Sequence, residues 1–267
     1  MALTVFHNFV LTYLMDQGIT DSDSLNSILE IGEQNWYYPN VNSTLMPILQ
    51  QRGANDPNFE EWVKQLNRCE QSNGQEVNLF DVAQIYYEAM FGDFKYMAID
   101  MHGTSRSTVA DLNNPFEHDD QFDLVTNLGT SEHVFNQAQV FKTIHNLTKQ
   151  GGLMYHGLPH QGQYDHGFYN YQPTFFADLA SANSYKIELM AINSSGGNME
   201  ITILEKYEHY HDMVANNKVP VQAGLHVVLR KTTNEEFIAP QQGYYSENPD
   251  AEVMQFWRSH STGHGKS

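Results

Sequence analysis

Phe122-Asp-Leu-Val-Thr-Asn-Leu-Gly-Thr-Ser-Glu-His-Val134 reads as a buried strand, Phe122 to Thr126, that stops abruptly in small and polar residues. Asn127, Gly129, Thr130 and Ser131 form the stop, and the acid and imidazole of Glu132 and His133 follow. In an open α/β sheet, ligands collect at the carboxyl ends of parallel strands, so a tip of this composition is expected to face one. Working outward, four more strand-like runs flank it: Ser27 to Gly32, Tyr96 to Asp100, Thr108 to Leu112 and Leu153 to Leu158. Three of them end on or beside a carboxylate. Between the fourth and fifth runs, Gln137, Val140, Phe141, Ile144 and Leu147 share one helical face, and Gly151-Gly152 is expected to end that helix. This layout predicts an α/β, Rossmann-like, mostly parallel sheet with helices on both faces.

The rest of the chain fits one domain over residues 1–267 with additions. Leu3, Phe6, Val10 and Leu14 predict an amphipathic helix over residues 3–17, stopped by Gly18, and residues 1–26 make up that helix and a connector. About seventy residues separate the first two strands, far more than a crossover needs, so residues 37–77 are expected to be a helical insertion. In it, Leu45, Ile48 and Leu49, then Phe59, Trp62, Val63 and Leu66, mark two helices around a loop from Gly53 to Pro57. Asn78 is placed to cap the helix carrying Leu79, Val82, Ile85, Tyr86, Ala89 and Met90. Pro173 opens another helix. Tyr185 to Ile192 and Leu225 to Arg230 read as late strands, with Ile201 to Met213 helix-like between them. Residues 160–172 combine His160, Tyr164, His166, Tyr169 and Asn170 in a loop suited to a lid or substrate wall, and residues 259–267 have the composition of a frayed tail.

The chain's 14 Lys and Arg stand against 32 Asp and Glu, a formal charge of −18. Such a balance argues against a phosphate-backbone partner, and no nucleic acid is expected. The single Cys69 excludes an intrachain disulfide and suits a reducing compartment. No run is apolar enough for a membrane span, and the N-terminus lacks the pattern of an export signal, so a cytoplasmic location is expected.

The order of strand with acid and glycine, strand ending in acid, strand with Ala110-Asp111, strand with Phe122-Asp-Leu-Val125, Glu132-His133, helix, Gly151-Gly152 and strand resembles the class I S-adenosylmethionine-dependent methyltransferase family. The likeness runs from about Ser27 to Lys231. It implies a seven-stranded, mostly parallel sheet with one antiparallel edge strand, and S-adenosyl-L-methionine as cofactor. By that resemblance Glu30 and Gly32 match the first motif, with Glu33 beside them. Asp100, followed by Met101, matches the acid that accepts the ribose hydroxyl hydrogens, a task suited to a carboxylate. Asp111 and Leu112 match the pair beside the adenine, and Asn127, with Gly129, the residues near the methionine moiety. The family's first motif continues with two more glycines, whereas here Gly32 is followed by Glu33, Gln34, Asn35 and Trp36. The cofactor loop is therefore expected to take another shape.

Methyl transfer is an in-line displacement that needs a positioned acceptor and, for an acceptor of high pKa, a base. His133, His156 and His166 are the candidate bases, since imidazole titrates near neutrality. His156 competes with a reading as a core histidine. His160, Tyr164, Tyr169 and Asn170 are the candidate substrate contacts. Glu132-His133 also resembles the Glu-x-x-Glu-His element of metal-dependent O-methyltransferases, with Gly129 in place of the first acid, so Glu132, His133 and His166 are candidate ligands of a divalent metal. The reading is an enzyme that methylates oxygen on a small hydroxylated, sugar-like acceptor. Its rivals are an RNA-end 2′-O-methyltransferase with a basic patch built from Lys142, Lys149, Arg230 and Lys231, and a binding protein that has kept the fold without catalysis.

Overall fold

The computed structural model describes residues 2–21, 24–37, 41–72, 76–194 and 200–243. The elements run β1 (Ala2–Leu3), α1 (Val5–Asp16), β2 (Ser27–Ile31), β3 (Asn35–Trp36), α2 (Val41–Ile48), α3 (Phe59–Gln71), α4 (Leu79–Phe91), β4 (Lys95–Ile99) and β5 (Ser107–Thr108). They continue with β6 (Phe122–Leu128), α5 (Gln137–Leu147), β7 (Thr148–Gln161), α6 (Pro173–Ala182), β8 (Lys186–Ser194), β9 (Ile201–Ile203), α7 (Tyr207–Ala215) and β10 (Ala223–Arg230).

Eight strands form the main sheet in the order β5-β4-β2-β6-β7-β10-β8-β9. The first five neighbours pair in parallel. β10 enters antiparallel between β7 and β8, and the edge strand β9 is antiparallel to β8. From β2 the chain builds outward one way through β4 and β5, then the other way through β6 and β7. The β2 and β6 tips therefore flank the switch point, where an open sheet leaves a crevice. β2 is buried throughout its length, as a central strand covered on both faces must be. On one face pack α1, α3 and α4, through side chains such as Leu11, Trp62 and Tyr86. On the other pack α5 and α6, through Val140, Phe141 and Phe176.

Local expectations held where one residue decides the structure. The Asn78 side chain caps α4 by accepting the Phe80 N–H at 3.0 Å, and Pro173 stands in the first turn of α6. The insertion contains the two expected helices, joined by a π-helical turn, Leu49–Gly53.

Three expectations need correction. α5 ends at Leu147, and Gly151-Gly152 lies inside β7, where the pairing with β6 slips between Phe122 and Leu124 and Gly151 takes φ +84°. The third strand is only Ser107–Thr108, so Asp111 and Leu112 sit in the turn after it. Ile201 to Ile203 is the edge strand rather than the start of a helix, because its backbone is satisfied by antiparallel pairing with β8. The tail over 259–267 lies outside the described residues. Among the described residues, no helix is long and apolar enough to cross a membrane.

Candidate functional site

At the end of β6, Gly129 turns the chain with φ +74° while its N–H bonds the Gly157 carbonyl at 3.0 Å. A short 3-10 turn, Ser131–His133, follows. It is tied down by Asn127 Oδ1, which accepts the Ser131 N–H at 3.1 Å, and by Gln137 Nε2, which donates to the Ser131 carbonyl at 2.7 Å. The loop after β7 then folds over this turn, with Phe168 N–H donating to the Glu132 carbonyl at 2.8 Å. Gly167 permits that approach, since a Cβ there would stand 2.9 Å from the Glu132 carbonyl oxygen.

The consequence is a carboxylate closed in by its own loop. The Glu132 side chain is fully buried, and neither oxygen has a hydrogen-bond partner among the described residues. His166 Nε2 lies 3.4 Å and His133 Nε2 3.9 Å from Glu132 Oε1, close enough for ion pairing though not aligned as hydrogen bonds. The two imidazoles are half-exposed, with ring centres 5.1 Å apart. Burial pushes the Glu132 carboxyl up to about 7, because the charged form loses its water. Burial, then the neighbouring His166, lowers His133. One ligand atom from each of Glu132, His133 and His166 lies within 4.8 Å of the others, a spacing at which the three could hold a cation.

This group opens onto a cavity of about 920 Å³. Its walls come from the start of α1, Asn35 of β3 with Tyr37 just after it, the β6 and β7 tips, the loop at Tyr164 and His166, and the ends of β8 and β10. The β1–β3 pair, Ala2 with Asn35 and Leu3 with Trp36, holds α1 over the sheet's edge. No lysine or arginine lines the cavity among the described residues.

The candidate cofactor residues fall into two sets. Asp100, half-buried at the β4 tip, accepts the Glu33 N–H at 2.9 Å and the His102 N–H at 2.7 Å, and each oxygen keeps a further lone pair. Gly32 takes φ +81° and bonds the Ile99 carbonyl. The buried Glu33 reaches across to Thr104 and Arg106, so its carboxylate stitches the loop after β2 to the loop after β4. Met101 is exposed beside them. Asp111 is fully exposed, and hydrogen bonds from the Asn113 backbone and side chain hold its carboxyl below the ordinary range.

The second set turns into the protein. Glu30 accepts the Tyr87 hydroxyl at 2.7 Å, the Tyr96 hydroxyl at 2.6 Å and the Gln34 N–H at 2.9 Å. Burial still outweighs these bonds and raises it to about 7. Leu112 is buried in the core beside α5. Asn127 spends its amide on Ser131 and on His156 Nδ1 at 3.2 Å.

The histidines separate in the same way. His156 is 1% exposed between Phe141 and Phe176, and burial lowers it to about 3, so it is a neutral core residue rather than a partner of His133 and His166. His160 is corrected likewise: its ring bridges the Tyr171 carbonyl at 2.8 Å and the Tyr210 hydroxyl at 3.0 Å and clamps the loop's ends. Tyr164 is exposed at the cavity, whereas Tyr169 donates to the Phe135 carbonyl at 2.9 Å and Asn170 is exposed outside the lining. The proposed basic patch does not assemble. Lys149 pairs with Asp123 and Arg230 with Glu188, while Lys231 is buried against the His145 and Thr148 carbonyls. The sequence reading missed His7, Asn193 and His226, which line the cavity from three distant segments. The one local signal was Thr4 with His7 three residues on, the spacing of a capping box.

Residues 94–156 match a family model described as a methyltransferase domain. No curated protein matches the sequence. Among solved structures, the chain is similar to residues 961–1257 of the StiE O-methyltransferase, at 9% identity and TM-score 0.43, over 86% of this chain and 76% of that one. It is similar to an O-methyltransferase from a trans-AT polyketide synthase of Brevibacillus brevis, solved with S-adenosyl-L-homocysteine, at 9% identity and TM-score 0.43, over 85% and 73%. It is also similar to the N-methyltransferase NodS of Bradyrhizobium japonicum, at 13% identity and TM-score 0.42, over 86% and 98%.

Proposed function

We propose that the chain is a class I S-adenosylmethionine-dependent methyltransferase, a reading supported by its strand order and by the family match over residues 94–156, and that it methylates a hydroxyl oxygen of a small molecule held in the cavity. The observation that carries this reading is Glu132, a buried carboxylate whose oxygens have no hydrogen-bond partner among the described residues, at the cavity's edge between two imidazoles. Bound S-adenosylmethionine supplies an electrophilic methyl carbon. The part left to the protein is to hold the hydroxyl in line and remove its proton. A carboxyl raised to about 7 is matched to that task at neutral pH, since it is ionised often enough to accept a proton and basic enough to keep it. His166, nearer to Glu132 than His133 is, passes the proton outward from its half-exposed position.

Toward the cofactor, the Asp100 carboxylate has acceptor capacity left for ribose hydroxyls, and Asn35 at the cavity has an unpartnered Oδ1 available to the methionine ammonium. Gly32, Glu33, Met101, Asp111 and Gly129 are the further candidate cofactor contacts, while Glu30, Leu112 and Asn127, turned into the protein, act by shaping the strand tips. Calorimetry with S-adenosylhomocysteine tests the reading. Binding is expected, weakened at least about tenfold in Asp100→Ala by loss of a charged hydrogen-bond acceptor. Absence of binding would return the chain to the class of non-catalytic binding proteins, and an unchanged affinity in the variant would displace the cofactor from Asp100.

The convergence of Glu132, His133 and His166 favours a second reading, in which they hold a divalent cation beside the acceptor hydroxyl. A zinc or manganese titration in which Glu132→Gln abolishes binding would support it, and equal binding by both proteins would remove it.

A further inference from the structure

The cavity has a second polar group, built from residues that no part of the catalytic account uses. His7 Nδ1 lies 3.1 Å from the Thr4 N–H, which can only donate. The ring is held neutral, since burial and then His226 keep it well below its ordinary pKa, so its proton sits on Nε2. Nε2 has no partner among the described residues, and His7 lines the cavity. Gly157 makes room for it, since a Cβ there would stand 2.9 Å from Nε2.

Asn193 is oriented by similar logic. The Tyr155 hydroxyl lies 2.8 Å from His226 Nδ1, and His226 Nε2 lies 3.0 Å from Asn193 Oδ1. His226 is the only partner of that buried hydroxyl among the described residues, so Tyr155 donates, which puts the imidazole proton on Nε2 and makes the Asn193 oxygen its acceptor. The Asn193 Nδ2 group is left without a partner among the described residues, on a side chain that lines the cavity and is 4% exposed. Gly224 is required here, because a Cβ would fall 2.3 Å from Asn193 Oδ1. Two strand glycines thus open space for two side chains, each offering N–H hydrogens and no formal charge.

We infer that His7 and Asn193 select the methyl acceptor by holding an uncharged oxygen, a carbonyl, at a distance from the reacting hydroxyl. This rests on the reading of the cavity as the acceptor site. The substrate class is then a hydroxylated carbonyl compound. Phosphorylated and sulfated acceptors are disfavoured, because among the described residues no lysine or arginine lines the cavity to meet their charge.

The test uses the full chain saturated with S-adenosylhomocysteine and two phenols matched in size, 4-hydroxyacetophenone and 4-ethylphenol, with phenyl phosphate as a third probe. Calorimetry is expected to show the ketone binding about tenfold more tightly than 4-ethylphenol, with phenyl phosphate weakest. His7→Phe and Asn193→Leu are each expected to erase most of the preference, and His7→Gln, which restores an N–H donor, to keep it. A readout needing no variant is the ¹⁵N resonance of His7 Nε2 in the unaltered protein, which should shift with the ketone and not with 4-ethylphenol. Equal or undetectable binding of the two phenols, tightest binding of phenyl phosphate, or a preference that survives both deletions would overturn the inference. Failure to bind S-adenosylhomocysteine at the first step would instead strike the methyltransferase reading.

Discussion

Glu30 and Glu132 invite comparison, because both are fully buried carboxyls at the tips of adjacent parallel strands and both are raised to about 7. Around Glu30 the protein supplies two tyrosine hydroxyls and a backbone N–H. Around Glu132 the described residues supply its carboxylate oxygens with no hydrogen bond, only two imidazoles beyond hydrogen-bonding alignment and a cavity. A shifted pKa therefore does not separate a structural acid from a working one. The separation lies in the state of the lone pairs. A carboxylate whose acceptors are filled stabilises the fold, whereas one whose acceptors are empty at a cavity is available to a ligand.

The largest expected effect breaks the comparison on its functional side. Glu132→Gln keeps the shape and removes the proton acceptor, so methyl-transfer turnover should fall by about 10²- to 10⁴-fold, while the melting temperature at pH 8 stays level or rises. A turnover assay paired with thermal melts reads both, and near-normal turnover would move the base elsewhere.

Next in size, Glu30→Ala strands the Tyr87 and Tyr96 hydroxyls and the Gln34 N–H, at about 1–3 kcal/mol for each buried group left unpartnered. Urea denaturation should show a loss of about 3 kcal/mol or more, and a loss within error of zero would mean that water replaces the carboxylate.

The smallest effect sharpens the comparison through pH. Both carboxyls are raised from 4.5 to about 7 on folding, so between those values the native state binds more protons than the unfolded chain. The stability they lend is full below about pH 4.5 and is lost as pH rises toward and through 7. Melts across this window should show stability falling with pH, and Glu132→Gln should roughly halve the decline contributed by the pair. An identical slope in the variant would mean that Glu132 ionises as freely as in the unfolded chain.

The legible parts of this protein share a physical cause. A parallel strand buried on both faces is a near-continuous apolar run, and its end is marked where polar residues return, which is why the tips carrying Glu30, Asp100 and Asn127 stood out. The place of Glu132 and His133 just beyond the β6 tip was legible for the same reason. Misreadings arose where one residue type serves two conformations. Gly151-Gly152 carries the signature of a helix stop, but a strand irregularity uses the same positive φ, and the pairing of β7 with β6 decided between them. His156, His160 and His166 carry the same imidazole within eleven residues of chain. Packing against Phe141 and Phe176 made one a core residue, two hydrogen bonds made another a clamp, and the Phe168 bond to Glu132 brought the third to the site.

The amino-acid sequence alone determined the central parallel strands and the tips at which a ligand should lie, since hydrophobic periodicity and chain punctuation are local quantities. Only the tertiary structure decided which acid was left empty and which histidines met it. It also brought His7, Asn193 and His226 to one cavity from opposite ends of the chain. Whether a lone pair is filled depends on donors supplied by distant segments, and no local pattern records their arrival.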